Sequence, residues 1–233
     1  MIKKIKWSPL ILAGGKGTRL GNLTKKVPKP MLKVNDRFFI EYILDFFLKM
    51  HLESINISVG FNADYFFDYL GESYKGIKIN YIVEKKELGT GGAIKNFFSV
   101  NHYENLLVMN GDTYCEFDLA GFVSAFENRN IQMLLCKKPS EERYGNVLIN
   151  KNNEIISFYE KSGTQSQYIN AGVYLIRKSN FKFKKNQFSI ENDFFPSYKE
   201  KFYGFKTNGK FIDIGTPNSL KMAPKFFQSI KLL

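Results

Sequence analysis

Apolar runs of strand length, separated by segments with helical spacing, constrain this chain more than any other feature. SPLILA, SINISV, IKINYIV, NLLVMN and IQMLLCK read as buried strands, and FFIEYILDFFLKM, ADYFFDYL, GGAIKNFFSV and LAGFVSAFENR read as the helices among them. That alternation predicts an α/β fold, a Rossmann-like and mostly parallel sheet with helices on both faces. The second half changes character. YGNVLINKNNEIISFYEK alternates around an Asn-Asn turn and predicts a hairpin, YINAGVYLIR and KFIDIG are further strands, and a closing helix begins at Thr216. Pro224 lies within that helical pattern and is expected to break or kink it. The expectation is one domain over residues 1–233, its later part adding antiparallel strands and a lid.

The stretch ILAGGKGTRLGNLTKKVPKPM follows the first strand directly. Ordering such a loop is costly, because glycine loses the most backbone freedom on folding. In an open α/β sheet, ligands bind beyond the carboxyl ends of the strands. The loop lacks the Gly-Lys-Ser/Thr of a Walker loop, and Leu20 stands where a dinucleotide fingerprint needs its third small residue. What it offers is bare amides at Gly14, Gly15 and Gly17, a hydroxyl at Thr18 and a guanidinium at Arg19. Successive amides form an anion nest, and the planar arginine fork suits phosphate oxygens. The alternative is a plain glycine turn; Arg19 followed by Lys25, Lys26 and Lys29 favours phosphate.

Charge and composition remove other classes. Lys+Arg number 34 against 22 Asp+Glu, a net charge of +12, yet no block of five or six like charges and no nucleic-acid motif is present. A phosphate-bearing small substrate or a solvated lysine surface accounts for the charge better than nucleic acid does. Cys115 and Cys136 offer neither a disulfide framework nor metal spacing and read as buried apolar residues. The N-terminal MIKKIKWSPLILAGG imitates a signal peptide, but its apolar core falls short of the roughly 7–15 residues required. No run approaches the roughly 18 apolar residues of a membrane span, so a cytoplasmic protein without membrane partners is expected. Phe46, Phe47, Phe66, Phe67, Phe97 and Phe98 fall on helical faces and are expected in the core. Oligomeric state stays open, a homo-oligomer included.

AGGKGTRLGNLTKKVPKPML resembles the signature of the nucleotide-sugar pyrophosphorylases, G-G-x-G-T-R-L followed by P-K-P. LGTGGAI at 88–94, NGDT at 110–113, RYGNV at 143–147, YEK at 159–161, NAGVY at 170–174 and FIDIGTP at 211–217 extend the likeness along nearly the whole chain. LGTGGA, RYGNV and FSIENDFFP are most similar to the heptose 1-phosphate guanylyltransferases of that family, relatives of the mannose 1-phosphate enzymes. The family often has proline at the positions of Asn22, Glu87 and Ser162.

The resemblance implies that a sugar 1-phosphate, with D-glycero-α-D-manno-heptose 1-phosphate favoured, reacts with GTP to give GDP-sugar and pyrophosphate, for surface polysaccharide synthesis. Mannose 1-phosphate and a catalytically silent regulatory subunit are the alternatives. It implies a nucleotide-binding half at 1–138 and a sugar-binding half at 139–233. The phosphate nucleophile is already an anion, so charge neutralisation rather than a general base is what the reaction needs, and His51 and His102 read as surface or packing residues. Arg19, Lys29 and Asp112 are the expected catalytic residues, with Lys29 held between Pro28 and Pro30 and meeting the α-phosphate. Asp112 and Asp213 would hold Mg²⁺, as paired carboxylates with phosphate oxygens and water commonly do. Ala13, Gly14, Gly15, Gly17, Thr18, Glu84, Gly89 and Thr90 would line the nucleotide. Glu84 is placed to accept from guanine N1–H and N2–H₂, with Glu87 as its rival. Gly145, Glu160, Lys161 and Asn170 would meet the sugar phosphate, with Arg143 and Tyr144 as weaker candidates.

Overall fold

The computed structural model describes residues 7–50, 52–138, 144, 146–159 and 166–230. Two compact units emerge, neither a continuous stretch of chain. One comprises Leu10–Glu87, Asn110–Tyr114 and Ile212–Leu233, the other Met1–Pro9, Leu88–Met109 and Cys115–Phe211.

In chain order the first stretch forms β1 (Trp7–Ala13), β2 (Lys33–Val34), β3 (Arg37–Phe38), α1 (Phe39–Phe47), β4 (Ser54–Val59), α2 (Ala63–Leu70), β5 (Ser73–Tyr74) and β6 (Ile77–Val83). β4 runs parallel to both β1 and β6, with Ile11 opposite Ile57 and Ile57 opposite Tyr81. The short β5 closes the edge antiparallel to β6. These are the parallel strands that the alternation predicts. The amphipathic α1 follows from its spacing, since Phe39, Ile40, Ile43, Leu44 and Phe47 are wholly buried. The Glu41 carboxylate caps it by accepting from the Phe38 amide at 2.7 Å. Phe67, expected inside, is exposed instead and sits edge-on to Tyr81. The eight-residue α2 offers the core only Phe66 as a buried side chain.

The next stretch forms α3 (Gly89–Val100), β7 (Asn105–Asn110), β8 (Thr113–Cys115), α4 (Leu119–Ser124), β9 (Ile131–Lys137), β10 (Asn146–Ile149), β11 (Ile155–Tyr159), β12 (Tyr168–Arg177), α5 (Phe195–Ser197) and β13 (Tyr203–Thr207). β12 is antiparallel to β7, β9 and β10, and β13 is parallel to β9. β10 and β11 form the expected hairpin, turned by Asn150, whose side-chain oxygen accepts from the amides of Asn152 and Glu154. α4 is shorter than its pattern predicts. After Ser124 the chain tightens into turns with Phe126 N–H on Val123 O and Arg129 N–H on Phe126 O, which bury Phe126 and deliver the chain to β9.

β14 (Phe211–Asp213) and α6 (Pro217–Gln228) complete the chain. Thr216 caps α6 by accepting from the Ser219 amide at 3.2 Å. Pro224 lies inside α6, and the helix runs on through it to Gln228 rather than breaking there. A helix-interior proline costs about 3 kcal/mol. Aromatic packing in the last turn opposes that loss: Phe227 stacks on Tyr42 at 3.7 Å and meets Tyr114 and Phe39 edge-on.

Candidate active site

The glycine loop leaves β1 at Ala13 and enters a 3-10 turn at Thr18–Thr24. Gly17 has φ +64°, and a Cβ there would lie 3.0 Å from Thr24 Cγ2, so both backbone and space require glycine. The Thr24 hydroxyl and the Leu20 amide both donate to Gly17 O, at 2.9 and 3.0 Å, which folds the loop back on itself. Gly15, Lys16, Thr18 and Arg19 are left exposed along it.

Lys29 begins a second short turn after Pro28, and its side chain is only 12% exposed. Its Nζ donates to Asp112 Oδ2 at 2.7 Å. Asp112 is aimed there by the Asn-Gly-Asp turn at the end of β7. The Gly111 amide donates to Leu12 O at 2.9 Å, and a Cβ on Gly111 would come within 2.7 Å of that oxygen. Asp112 O in turn accepts from the Ile214 amide at 2.9 Å, which sets Asp213 alongside. The Asp213 carboxylate is nearly buried and accepts from the Gly215 amide at 2.6 Å.

Glu84 follows β6, and its amide donates to Val59 O at 2.7 Å. Its carboxylate accepts from Ser58 Oγ at 2.9 Å and lies so close to the loop that a Cβ on Gly14 would meet Oε1 at 2.6 Å. Gly60 is equally confined, with its own Cβ direction 3.0 Å from Gly14 O. Glu87 is exposed and pairs with Lys16 at 3.3 Å. Glu84 is thus built into the loop's wall, whereas Glu87 is a surface ion pair. Among the described residues no three His, Cys, Asp or Glu side chains gather around one point. Asp112 and Asp213 still fit a hard divalent ion, because two carboxylates leave coordination sites for phosphate oxygens and water.

Gly89 and Thr90 lie in the other unit, at the start of α3. The LGTGGA glycines accommodate backbone: Phe188 O accepts from the amides of Gly91 and Gly92 at 3.0 and 3.2 Å, and Gly89, at φ +72°, has no room for a Cβ beside that oxygen. The Thr90 hydroxyl donates to Glu191 Oε2 at 2.6 Å and accepts from the Ile190 amide at 2.9 Å. The Thr90 side chain is thus engaged within its own unit. Asn170 sits on β12, where its Nδ2 donates to Tyr174 OH at 2.6 Å. Tyr174 OH donates onward to Glu191 Oε1 at 3.1 Å. Glu191, Tyr174 and Ser189 were absent from the sequence expectations. Their sequence signals are the motifs FSIENDFFP, which carries Ser189 and Glu191, and NAGVY, which ends at Tyr174. Gly145, Glu160 and Lys161 lie outside the described residues, as does Arg143; Tyr144 packs edge-on against Phe211. No helix among the described residues is long and apolar enough to cross a membrane.

Residues 8–229 match the family described as nucleotidyl transferase. The chain is 36% identical over 225 residues to a D-glycero-alpha-D-manno-heptose 1-phosphate guanylyltransferase of Aneurinibacillus thermoaerophilus, covering 94% of this chain and 97% of the relative. A protein of the same name from Campylobacter jejuni is 35% identical, over 89% of this chain and 94% of the relative. Among solved structures, HddC from Yersinia pseudotuberculosis superposes with a TM-score of 0.86 at 32% identity, covering 95% of this chain and all of that one. A second structure of HddC, complexed with GMP-PN, superposes with a TM-score of 0.85.

Proposed function

Because the chain belongs to the nucleotidyl transferase family, we propose that it transfers the GMP group of GTP onto D-glycero-α-D-manno-heptose 1-phosphate, giving GDP-heptose and pyrophosphate. The heptose reading rests on the relatives at 36% and 35% identity, against 28% for a mannose-1-phosphate guanylyltransferase of Mycobacterium tuberculosis. An oxygen of the sugar phosphate attacks the α-phosphorus, a new P–O bond forms, and the bond to the departing pyrophosphate breaks. No proton need move at the attacking oxygen, so the residues' task is to hold polyanions in line and neutralise charge.

The observation that carries this reading is the Lys29–Asp112 pair beside the glycine loop. A lysine that would serve phosphate and a carboxylate that would hold a cation stand within one hydrogen bond of each other. Ala13, Gly14, Gly15, Gly17 and Thr18 would cradle the triphosphate, with Arg19 reaching its outer oxygens. Lys29 would turn from Asp112 to the α-phosphate once nucleotide enters. Asp112 and Asp213 would hold Mg²⁺, which supplies neutralisation of the charge on the phosphates. Glu84 would accept from guanine N1–H and N2–H₂, and the Gly89 and Thr90 backbone would meet base or ribose. Gly145, Glu160, Lys161 and Asn170 would engage the sugar phosphate and its hydroxyls.

The test is pyrophosphate release over a grid of nucleoside triphosphates and sugar 1-phosphates with Mg²⁺. GTP with the heptose 1-phosphate should give the highest kcat/KM. Faster turnover of mannose 1-phosphate would transfer the assignment to that sugar, and no release from any pair would remove the enzyme reading.

A further inference from the structure

β12 is irregular where it carries Asn170. Its register against β9 slips between Asn170 and Tyr174, and Gly172 within the slip has φ +72°. Bulges of this kind re-aim a side chain. Here the Gly172 amide donates to Asn170 Oδ1 at 2.9 Å, while Asn170 Nδ2 donates to Tyr174 OH at 2.6 Å. The two bonds together decide which end of the amide is oxygen, because an N–H must meet an acceptor on either side.

Tyr174 is itself wholly buried and donates its hydroxyl hydrogen bond to Glu191. Glu191 accepts from three hydroxyls: Tyr174 on Oε1 at 3.1 Å, and Thr90 and Ser189 on Oε2 at 2.6 and 2.8 Å. An ionised carboxylate only accepts, so it sets the direction of the whole chain. Tyr174 must donate to Glu191 and is left able to accept from Asn170. Glu191 is held in turn by a π-helical turn at Ile190–Phe194, where the Phe194 amide reaches back to Ser189 O. Such turns are frequent at functional sites.

We propose that Glu191 is a positioning residue for sugar recognition: acting through Tyr174, it locks Asn170 with its carbonyl turned inward and its second N–H presented to a hydroxyl oxygen of the sugar. The inference rests on the reading of Asn170 as a sugar contact. It makes that contact a donor of fixed direction, one that favours a hydroxyl free to accept.

The experiment is a double-mutant cycle on the full chain, reading KM for the heptose 1-phosphate, KM for GTP and kcat, with a thermal melt for each variant. Glu191→Gln and Tyr174→Phe should each raise the sugar KM about 10- to 100-fold, the scale of a misaligned contact, and Tyr174→Phe should leave the GTP KM unchanged. Asn170→Ala should do the same, and adding Glu191→Gln to it should bring no further loss. Tyr174→Phe removes a single oxygen and tests the relay if Glu191→Gln melts early. Full additivity of Glu191→Gln and Asn170→Ala would overturn the positioning role. An unchanged sugar KM in Asn170→Ala alone would instead overturn the sugar contact on which the inference rests.

Discussion

Lys29 Nζ stands 2.7 Å from Asp112 Oδ2, with the lysine side chain 12% and the aspartate 33% exposed, so the two charges expected to serve phosphate and metal neutralise each other. Removing the lysine charge should therefore strengthen Mg²⁺ binding to the nucleotide-free protein. Lys29→Met is expected to raise Mg²⁺ affinity by about tenfold, read by calorimetry without GTP, while turnover falls. Asp112→Asn and Asp213→Asn should each lower kcat on the order of 10²-fold or more with melting temperatures near that of the parent. A folded Asp112→Asn enzyme at parental rate would sink the metal assignment.

Arg19 differs from Lys29 in being exposed on the loop. Its loss should leave stability within about 0.5 kcal/mol, as exposed substitutions generally do. Arg19→Ala should raise the KM for GTP about tenfold and change kcat less, whereas Lys29→Ala should lose chiefly kcat. Equal and negligible effects at both positions would reduce the basic run to a solvated surface.

Base choice can be probed from two sides. Glu84→Gln replaces one of two acceptors that guanine needs, and the preference for GTP over ATP, expected at about 10²-fold or more in kcat/KM, should shrink. Gly14→Ala keeps the carboxylate but must displace it, since the added methyl would lie 2.6 Å from Glu84 Oε1. It should relax the same preference by moving the acceptor rather than removing it. A parental GTP:ATP ratio in both variants would assign the base to another residue.

Asp45 provides a stability prediction remote from the loop. Burial alone would raise its carboxyl pKa, but hydrogen bonds from Lys75, Arg37 and Tyr74 outweigh burial and hold it below the usual carboxylate value. A depressed folded pKa contributes stability above the unfolded value near 3.9 and loses it as pH falls through the folded pKa. Asp45→Asn should therefore cost about 1–3 kcal/mol at pH 7. The gap to the parent should close in acid below pH about 4. Denaturant melts at both pH values would check this, and a gap independent of pH would contradict it.

The strands and most helices were legible because burial writes itself into residue type: Ile55, Ile57 and Val59 recur at every second position of β4 and are wholly buried. Phe67 was misread, and the choice of break or kink at Pro224 was left open, for a common reason. Local pattern assigns each residue a preference, but the ring stacked by Phe227 and the thin apolar face of α2 are decided by distant partners. The loop, Lys29 and Asp112 stood out as motifs. The Glu191 network lay within quoted motifs too, but its connection did not show, since Thr90 and Glu191 are brought together across 101 positions and no periodicity links them.

The unit carrying Lys29, Asp112 and Glu84 is completed by residues 212–233, after the chain has built the whole of Cys115–Phe211 elsewhere. During synthesis, at about 5–20 residues per second, Phe39 and Tyr42 leave the ribosome long before Phe227 exists to cover them. Asp213 likewise joins Asp112 only after the whole of Cys115–Phe211 has been made. The nascent chain thus carries an open apolar face until Phe227 is made, and that first unit cannot close over Phe39 and Tyr42 by local folding alone.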